Sequence, residues 1–312
     1  MAHTIQKAPG KIILFGEHAV VYGQPAIAVP IPQRFATVTI EPIIRGDHPT
    51  HIIAPDIDLD QHLSDLPDNH PFVLICKLVK DHGNLHHLPA MNIQISSTLP
   101  VASGLGSGAA VSVALARALC TFLGVSHSNA DISGMAYEVE KIHHGNPSGI
   151  DNTVIAFQKG ILFQKQHPIQ WLSLEHELDF LIVNSGEKKS TKIMVDMVAE
   201  QLQNSPERYQ SIIEQIGSLT LQAKSDLESA DIPELGKAMH QNHLLLQQLG
   251  VSTPTLDKLV EIAMKNGAAG AKLSGAGGGG NMLILPNTEK IYSVQNALLH
   301  AGFTNIIQVS IH

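Results

Sequence analysis

The stretch from Pro100 to Gly124 reads PVASGLGSGAAVSVALARALCTFLG. Just before it, Met91 to Leu99 alternates apolar and polar residues, the two-residue period of a strand. Within it, Ala109 to Leu123 is dense in Ala, Leu and Val and predicts a buried helix that Gly124 stops. The segment is thus a strand, a loop of small residues and a helix N-terminus. Gly104, Gly106 and Gly108 allow the backbone to approach a ligand without Cβ clashes. The first-turn amides lack carbonyl partners and the helix dipole adds positive charge there, which suits phosphate. A Walker A loop is excluded, because no Gly-Lys-Ser/Thr follows at the required distance. Gly104, Gly106 and Ala109 do fit the dinucleotide variant Gly-x-Gly-x-x-Ala. However, Pro100 to Ser103 separates the strand from the glycines, and no strand ending in an acid follows about 20 residues on. Nucleotide phosphate is therefore favoured over a nicotinamide dinucleotide.

Composition narrows the class. With 312 residues, 44% apolar and 15% charged, the chain can bury a core and is not disordered. A net charge of −8 without Lys/Arg clusters excludes a nucleic-acid surface. The two cysteines, Cys76 and Cys120, lie in apolar helical patterns and read as buried free thiols. The opening residues do not resemble a secretory signal and no apolar run reaches membrane-spanning length, so a cytoplasmic protein without membrane contact is expected. The 18 histidines are scattered or in adjacent pairs such as His86-His87, a spacing that does not converge on one metal.

Three further stretches carry chemistry. Lys11 to Phe15 is a short apolar strand, and Gly16, Glu17 and His18 follow it on a turn. Ala26 to Val29, Phe35 to Glu41 and Thr50 to Ile53 read as further strands of an antiparallel start, and His70 to His82 as a helix. Asp131 to His143 reads as another helix, capped by Asn129 or Asp131. Glu138 and Glu140 stand near its C-terminal end, where the dipole disfavours carboxylates, so at least one should have a compensating cation. The tight turn Gly145 to Gly149 then delivers Asp151 among apolar residues, as either a helix cap or a base held in a pocket. Beyond a boundary near Gln170 to Leu178, long helices dominate: Lys188 to Gln203, Glu207 to Glu228, Pro233 to Leu249 and Thr255 to Lys265. Gly275 to Gly280 lies between two short apolar strands, which favours close backbone approach over a linker.

These motifs, in this order, resemble those of the GHMP-type small-molecule kinases, and most closely the members that act on mevalonate. The similarity covers nearly the whole length. Lys11 to Gly23 is similar to the family's first motif, Gly104 to Ala110 to its second and Lys272 to Gly280 to its third. His144 to Asn152 resembles the stretch with the catalytic aspartate, and Asn184 to Thr191 the opening of the C-terminal domain. Galactokinases share Gly-Glu-His but continue with Asp, whereas Ala19 and Val20 follow here. The resemblance implies a two-domain α+β fold, with a ribosomal-S5-like α/β domain over residues 1–176 and a ferredoxin-like α+β domain over 177–312.

It also implies phosphoryl transfer from ATP to the primary hydroxyl of mevalonate, with Mg²⁺ as cofactor and a homodimer as the assembly. Asp151 would be the base and Lys11 its neighbour. Pro100, Ser103, Gly104, Leu105, Gly106, Ser107, Gly108 and Ala109, with Gly275 and Gly277, would hold ATP. Glu17, His18 and Thr191 would orient mevalonate, while Ser107 and Glu140 would hold the metal. Adenine contacts are expected between Thr39 and Val101. Where the family's loop usually has a second serine, this chain has Gly108, so Ser107 or a water must replace that ligand. Ser274 stands where the family usually has Thr and keeps the hydroxyl. The alternatives are a relative acting on phosphomevalonate or another small alcohol, or a non-catalytic nucleotide-binding module. A phosphorylated acceptor needs extra cations, and the chain has only Arg34, Arg45, Arg117 and Arg208 as arginines.

Overall fold

A computed structural model describes residues 3–43, 49–100, 103–144, 147–187 and 189–311. Arg45, Val101, Ala102, Gly145, Asn146 and Lys188 lie outside the described residues. The chain forms two compact units, each made of two segments. Met1–Lys11 joins Pro30–Lys159, and Ile12–Val29 joins Gly160–His312.

The first unit begins with β1 (Thr4–Phe15) and β2 (Ala26–Pro42), which pair and run through both units. β2 is a single strand through Pro30 and Pro32, where the sequence predicted two strands, Ala26 to Val29 and Phe35 to Glu41. The fixed φ of proline suits an extended strand, and only its missing N–H is a liability there. Accordingly, the partner registers of β2 fall on either side of the prolines: Ala26–Ala28 on one strand and Ala36–Pro42 on another. β3 (His51–Ala54) and β4 (Leu59–His62) form a short antiparallel pair, followed by α1 (Pro71–His82) and β5 (Met91–Ser97). β5 pairs antiparallel with β2 but parallel with β3. The start is otherwise antiparallel, as expected, and α1 supplies the crossover that this one parallel pair requires. Alternation in β5 is as expected, with Met91, Ile93 and Ile95 buried and Asn92 and Gln94 exposed.

Helices α2 (Ser107–Leu123), α3 (Asn129–His144) and α4 (Ile150–Phe157) complete this unit. Ala110, Ala114, Ala116 and Ala118 on α2 are all fully buried. Their small side chains let a helix enclosed on most faces pack closely against its neighbours. The sequence did not resolve α4, whose eight residues are too few for a helical period to stand out.

The second unit adds β6 (Ile161–Phe163), β7 (Gln170–Trp171) and β8 (Leu178–Asn184). Four helices follow: α5 (Thr191–Asn204), α6 (Pro206–Glu228), α7 (Ile232–Gln248) and α8 (Pro254–Lys265). The unit closes with β9 (Ala268–Ser274), β10 (Asn281–Pro286), α9 (Ile291–His300) and β11 (Ile306–Ile311). The antiparallel order β11-β8-β10-β9 is the split β-α-β-β-α-β arrangement. Edge strand β9 is covered by α7 at very close range, since a Cβ on Gly236 would lie 2.4 Å from the Ala269 carbonyl oxygen. Leu246, Leu249, Leu256, Leu259, Leu273 and Ile284 belong to the core of this unit.

Candidate active site

In the first unit the phosphate loop and its surroundings form one packed assembly. Gly106 is the N-cap of α2, in the left-handed region at φ 73°, and gives no side-chain cap. The amides of Ser107, Gly108 and Ala109 therefore open the helix without intrahelical acceptors. Leu105 is buried and its carbonyl accepts from the Lys11 amide at 2.9 Å, which fastens the loop to β1. A Cβ on Gly106 would come within 3.0 Å of Lys11 Cγ and of Ile155 Cδ1, so only glycine lets the loop lie on the lysine stem. Gly104, at φ 82°, has open space around it, and Ser103 Oγ donates to the exposed Pro100 carbonyl at 2.8 Å.

Lys11 Nζ reaches Asp151 Oδ1 at 2.9 Å; the lysine is buried and the aspartate side chain 30% exposed. Asp151 is not the helix cap, because Gly149 holds that position and Asp151 lies in the first turn of α4. Its helix is fastened at both ends. Asn152 Nδ2 donates to the Ser133 hydroxyl at 2.8 Å and to the Ser133 carbonyl at 3.1 Å. At the other end, the half-buried Arg117 guanidinium donates to the Ala156 carbonyl, and to Asn129 Oδ1 at 3.1 Å. A half-buried base on a rigid first turn beside a buried cation can accept a proton and hold a reacting hydroxyl in line.

The two carboxylates at the end of α3 differ. Glu138 is half-buried and pairs with Lys141 at 2.6 Å, the cation expected for one of them. Glu140 is buried, and its Oε1 would lie 3.8 Å from a Cβ on Gly108. A buried carboxylate beside the hydroxyl-bearing first turn of α2 is an all-oxygen donor set, which suits a hard cation such as Mg²⁺. The described residues hold no cluster of three or more His, Cys, Asp or Glu side chains able to bind a metal. Two protein donors are nevertheless the usual pattern for magnesium, which keeps its waters and substrate phosphates. A cavity of about 480 Å³ opens beside the same turn, lined by Asp56, His70, Phe72, Ile95, Ser107 and Val111 among others. Ala54, Ser97 and Leu99 also line it.

In the second unit the first and third motifs run side by side. Ser274 Oγ donates to the Ile13 carbonyl at 2.7 Å. The His18 ring meets the Ala276 carbonyl at 2.8 Å, so Nε2 carries the proton, and burial lowers the pKa of this imidazole below its ordinary value. Glu17 and Lys272 form a fully buried ion pair. Asn242 Nδ2 donates to the other Glu17 oxygen at 3.2 Å. Burial pushes the Glu17 carboxyl up and the Lys272 ammonium down, and their contact pulls each back. Glu17, expected to orient the acceptor, has both oxygens engaged and no exposed face. Thr191 is exposed at the first position of α5. Gly275 and Gly277 lie in the loop joining β9 to β10, both in the left-handed region, at φ 91° and 75°. A Cβ on Gly277 would collide with the Val251 carbonyl at 2.1 Å, whereas one on Gly275 would meet nothing within 4 Å. Lys272 and Asn242 were the residues whose part the sequence left unread. A lone lysine in the apolar strand AAGAKLS was the available signal.

A split β-α-β-β-α-β unit and a glycine-rich helix N-terminus beside a lysine–aspartate pair define a small-molecule phosphotransferase. The family model described as GHMP kinases N terminal domain matches residues 70–160, and that described as GHMP kinases C terminal matches 223–304. The chain is 36% identical to the mevalonate kinase of Pyrococcus furiosus, over 97% of this chain and 95% of that protein. The chain belongs to the GHMP kinase family. Among solved structures it is similar to the Methanococcus jannaschii mevalonate kinase, with a TM-score of 0.84, 28% identity and coverage of 99% and 98% of the two chains. It is also similar to L. major mevalonate kinase in complex with R-mevalonate, with a TM-score of 0.83, 26% identity and coverage of 100% and 96%.

Proposed function

We infer that this chain transfers the γ-phosphoryl group of ATP to the primary hydroxyl of mevalonate, giving phosphomevalonate for isoprenoid precursor synthesis. The observation that carries this reading is the Lys11–Asp151 pair beside the phosphate loop, in a chain similar over nearly its full length to mevalonate kinases. Asp151 takes the hydroxyl proton as the oxygen attacks the γ-phosphorus, and the bond to the β-phosphate oxygen breaks to release ADP. Lys11 pairs with the aspartate and faces the charge that develops on the transferring group. The loop from Pro100 to Ala109 cradles the phosphates, with Gly275 and Gly277 as further nucleotide contacts, and the apolar cavity beside Ser107 receives the purine. Ser107 and Glu140 would hold Mg²⁺, which when bound neutralises phosphate charge. His18 and Thr191 orient the acceptor.

The described arginines support an acceptor without a phosphate. Arg117 is engaged with Ala156 and Asn129, Arg34 donates to the Gln33 carbonyl at 3.3 Å, and Arg208 stacks on Tyr209. No helix among the described residues is long and apolar enough to cross a membrane. A cytoplasmic homodimer, with its domains divided at 176/177, completes the proposal. The test is ADP release from MgATP with mevalonate, phosphomevalonate, galactose and homoserine offered side by side. Turnover with mevalonate alone is expected; turnover with a different alcohol would move the substrate, and silence on all four with ATP still bound would favour a non-catalytic module.

A further inference from the structure

The ion pair between Glu17 and Lys272 is poorly explained by stability alone. Both side chains are fully removed from water. A well-packed apolar pair of similar volume is commonly as stable as a buried ion pair, because desolvating two charges offsets their attraction. What an ion pair adds is direction. Lys272 donates to Glu17 and, at 2.7 Å, to the Leu273 carbonyl, while Asn242 donates to the second Glu17 oxygen. The strand that carries Lys272 is itself held from α7, where His243 Nδ1 accepts from the Leu273 amide at 3.3 Å. Nε2 of the same imidazole donates to Asp257 at 3.1 Å. The pair therefore joins a fixed strand to the turn at residues 16–18.

That turn needs an external hold. His18 has φ 59° and ψ −47°, a positive-φ conformation outside the allowed basins that costs a non-glycine residue free energy and persists only where its surroundings impose it. Glu17 is its immediate neighbour, and His18 spans to Ala276 only while the turn keeps this shape. We propose that Glu17 and Lys272 are a positioning pair: they hold the turn that presents His18 against the loop of residues 275–280, and so set the geometry of acceptor binding. This rests on the reading that His18 orients mevalonate.

The test uses Glu17→Gln, Lys272→Met and the double variant in the full-length protein. Each single variant leaves one buried charge uncompensated and should melt well below the parent, whereas the double variant should recover most of the loss. Despite that recovery, the double variant should show a mevalonate KM raised about tenfold, with kcat and the ATP KM within about threefold of the parent. In its ¹⁵N spectrum the His18 ring should move from a single Nε2–H tautomer toward an average of both. A double variant with the parent's mevalonate KM and His18 spectrum overturns the proposal, and so does an equal rise in both KM values. If the parent itself fails to phosphorylate mevalonate, the functional reading falls; the His18 spectrum of the double variant then decides the positioning claim on its own.

Discussion

At the scale of single residues, the decisive geometry is the 2.9 Å contact between Lys11 and Asp151. Asp151→Asn keeps the size of the side chain but removes the proton acceptor. Phosphoryl transfer should fall about 10²- to 10⁴-fold, the usual worth of a positioned base, while ATP binding measured by calorimetry stays within about twofold. Unchanged turnover in that variant would remove the base from the mechanism. Ser107 poses a second question, because its neighbour Gly108 has no hydroxyl where Glu140 comes near. If Ser107 helps hold the cation, Ser107→Ala should lose far more activity at low than at saturating magnesium. It should also weaken magnesium-dependent ADP binding in titration. An equal loss at both concentrations would separate Ser107 from the cation.

At the scale of elements, glycines in helices distinguish propensity from packing. Gly134 in α3 has nothing within 4 Å of where a Cβ would sit. Gly134→Ala should therefore raise stability by about 0.5–1 kcal/mol, the ordinary helical preference for alanine. Gly236 in α7 is equally helical, but a Cβ there would press on the Ala269 backbone at 2.4 Å. For Gly236→Ala the sign should reverse, with a loss of about 1–3 kcal/mol, the range for overpacking. Chemical denaturation of both variants checks the pair, and two stabilised variants would show that α7 yields easily from β9. The same contrast explains what was legible in the sequence. α2 and β5 could be read because their own residues carry the period, and the phosphate loop because glycine placement is a local need. The continuous β2, the parallel pairing of β3 with β5, and α4 could not, because each depends on partners distant in the chain. The Lys11–Asp151 pairing came from family resemblance and not from local pattern, which left Asp151 open between cap and base. The partner of Glu17 was hidden for a related reason: only the fold shows that Lys272, more than 250 residues away, claims its carboxylate.

At the scale of the whole molecule, the buried imidazoles tie stability to pH. His243 is 1% exposed and contacts Asp257, with Lys272 and His240 also within electrostatic reach. Burial lowers its pKa to about 4, and the Asp257 carboxylate opposes that shift without cancelling it. Its Nδ1 accepts from the Leu273 amide, so protonation at that nitrogen would break a bond on the covered edge of β9. In the unfolded chain the same ring titrates near 6.5. Between those values the unfolded state binds a proton that the folded state refuses, so stability is full above about pH 6.5 and declines as pH falls toward 4. The separation is worth about 3 kcal/mol at the acid end. The lowered pKa of His18 acts in the same direction. Carboxylates elsewhere also respond to acid, so the quantity to follow is the difference between the parent and His243→Asn, which cannot titrate in this range. That difference should shrink steadily in urea melts run from pH 7 to pH 4.5, in the transition that unfolds the unit containing α7. A difference constant with pH would mean that His243 takes up its proton in the folded protein without loosening the α7–β9 contact.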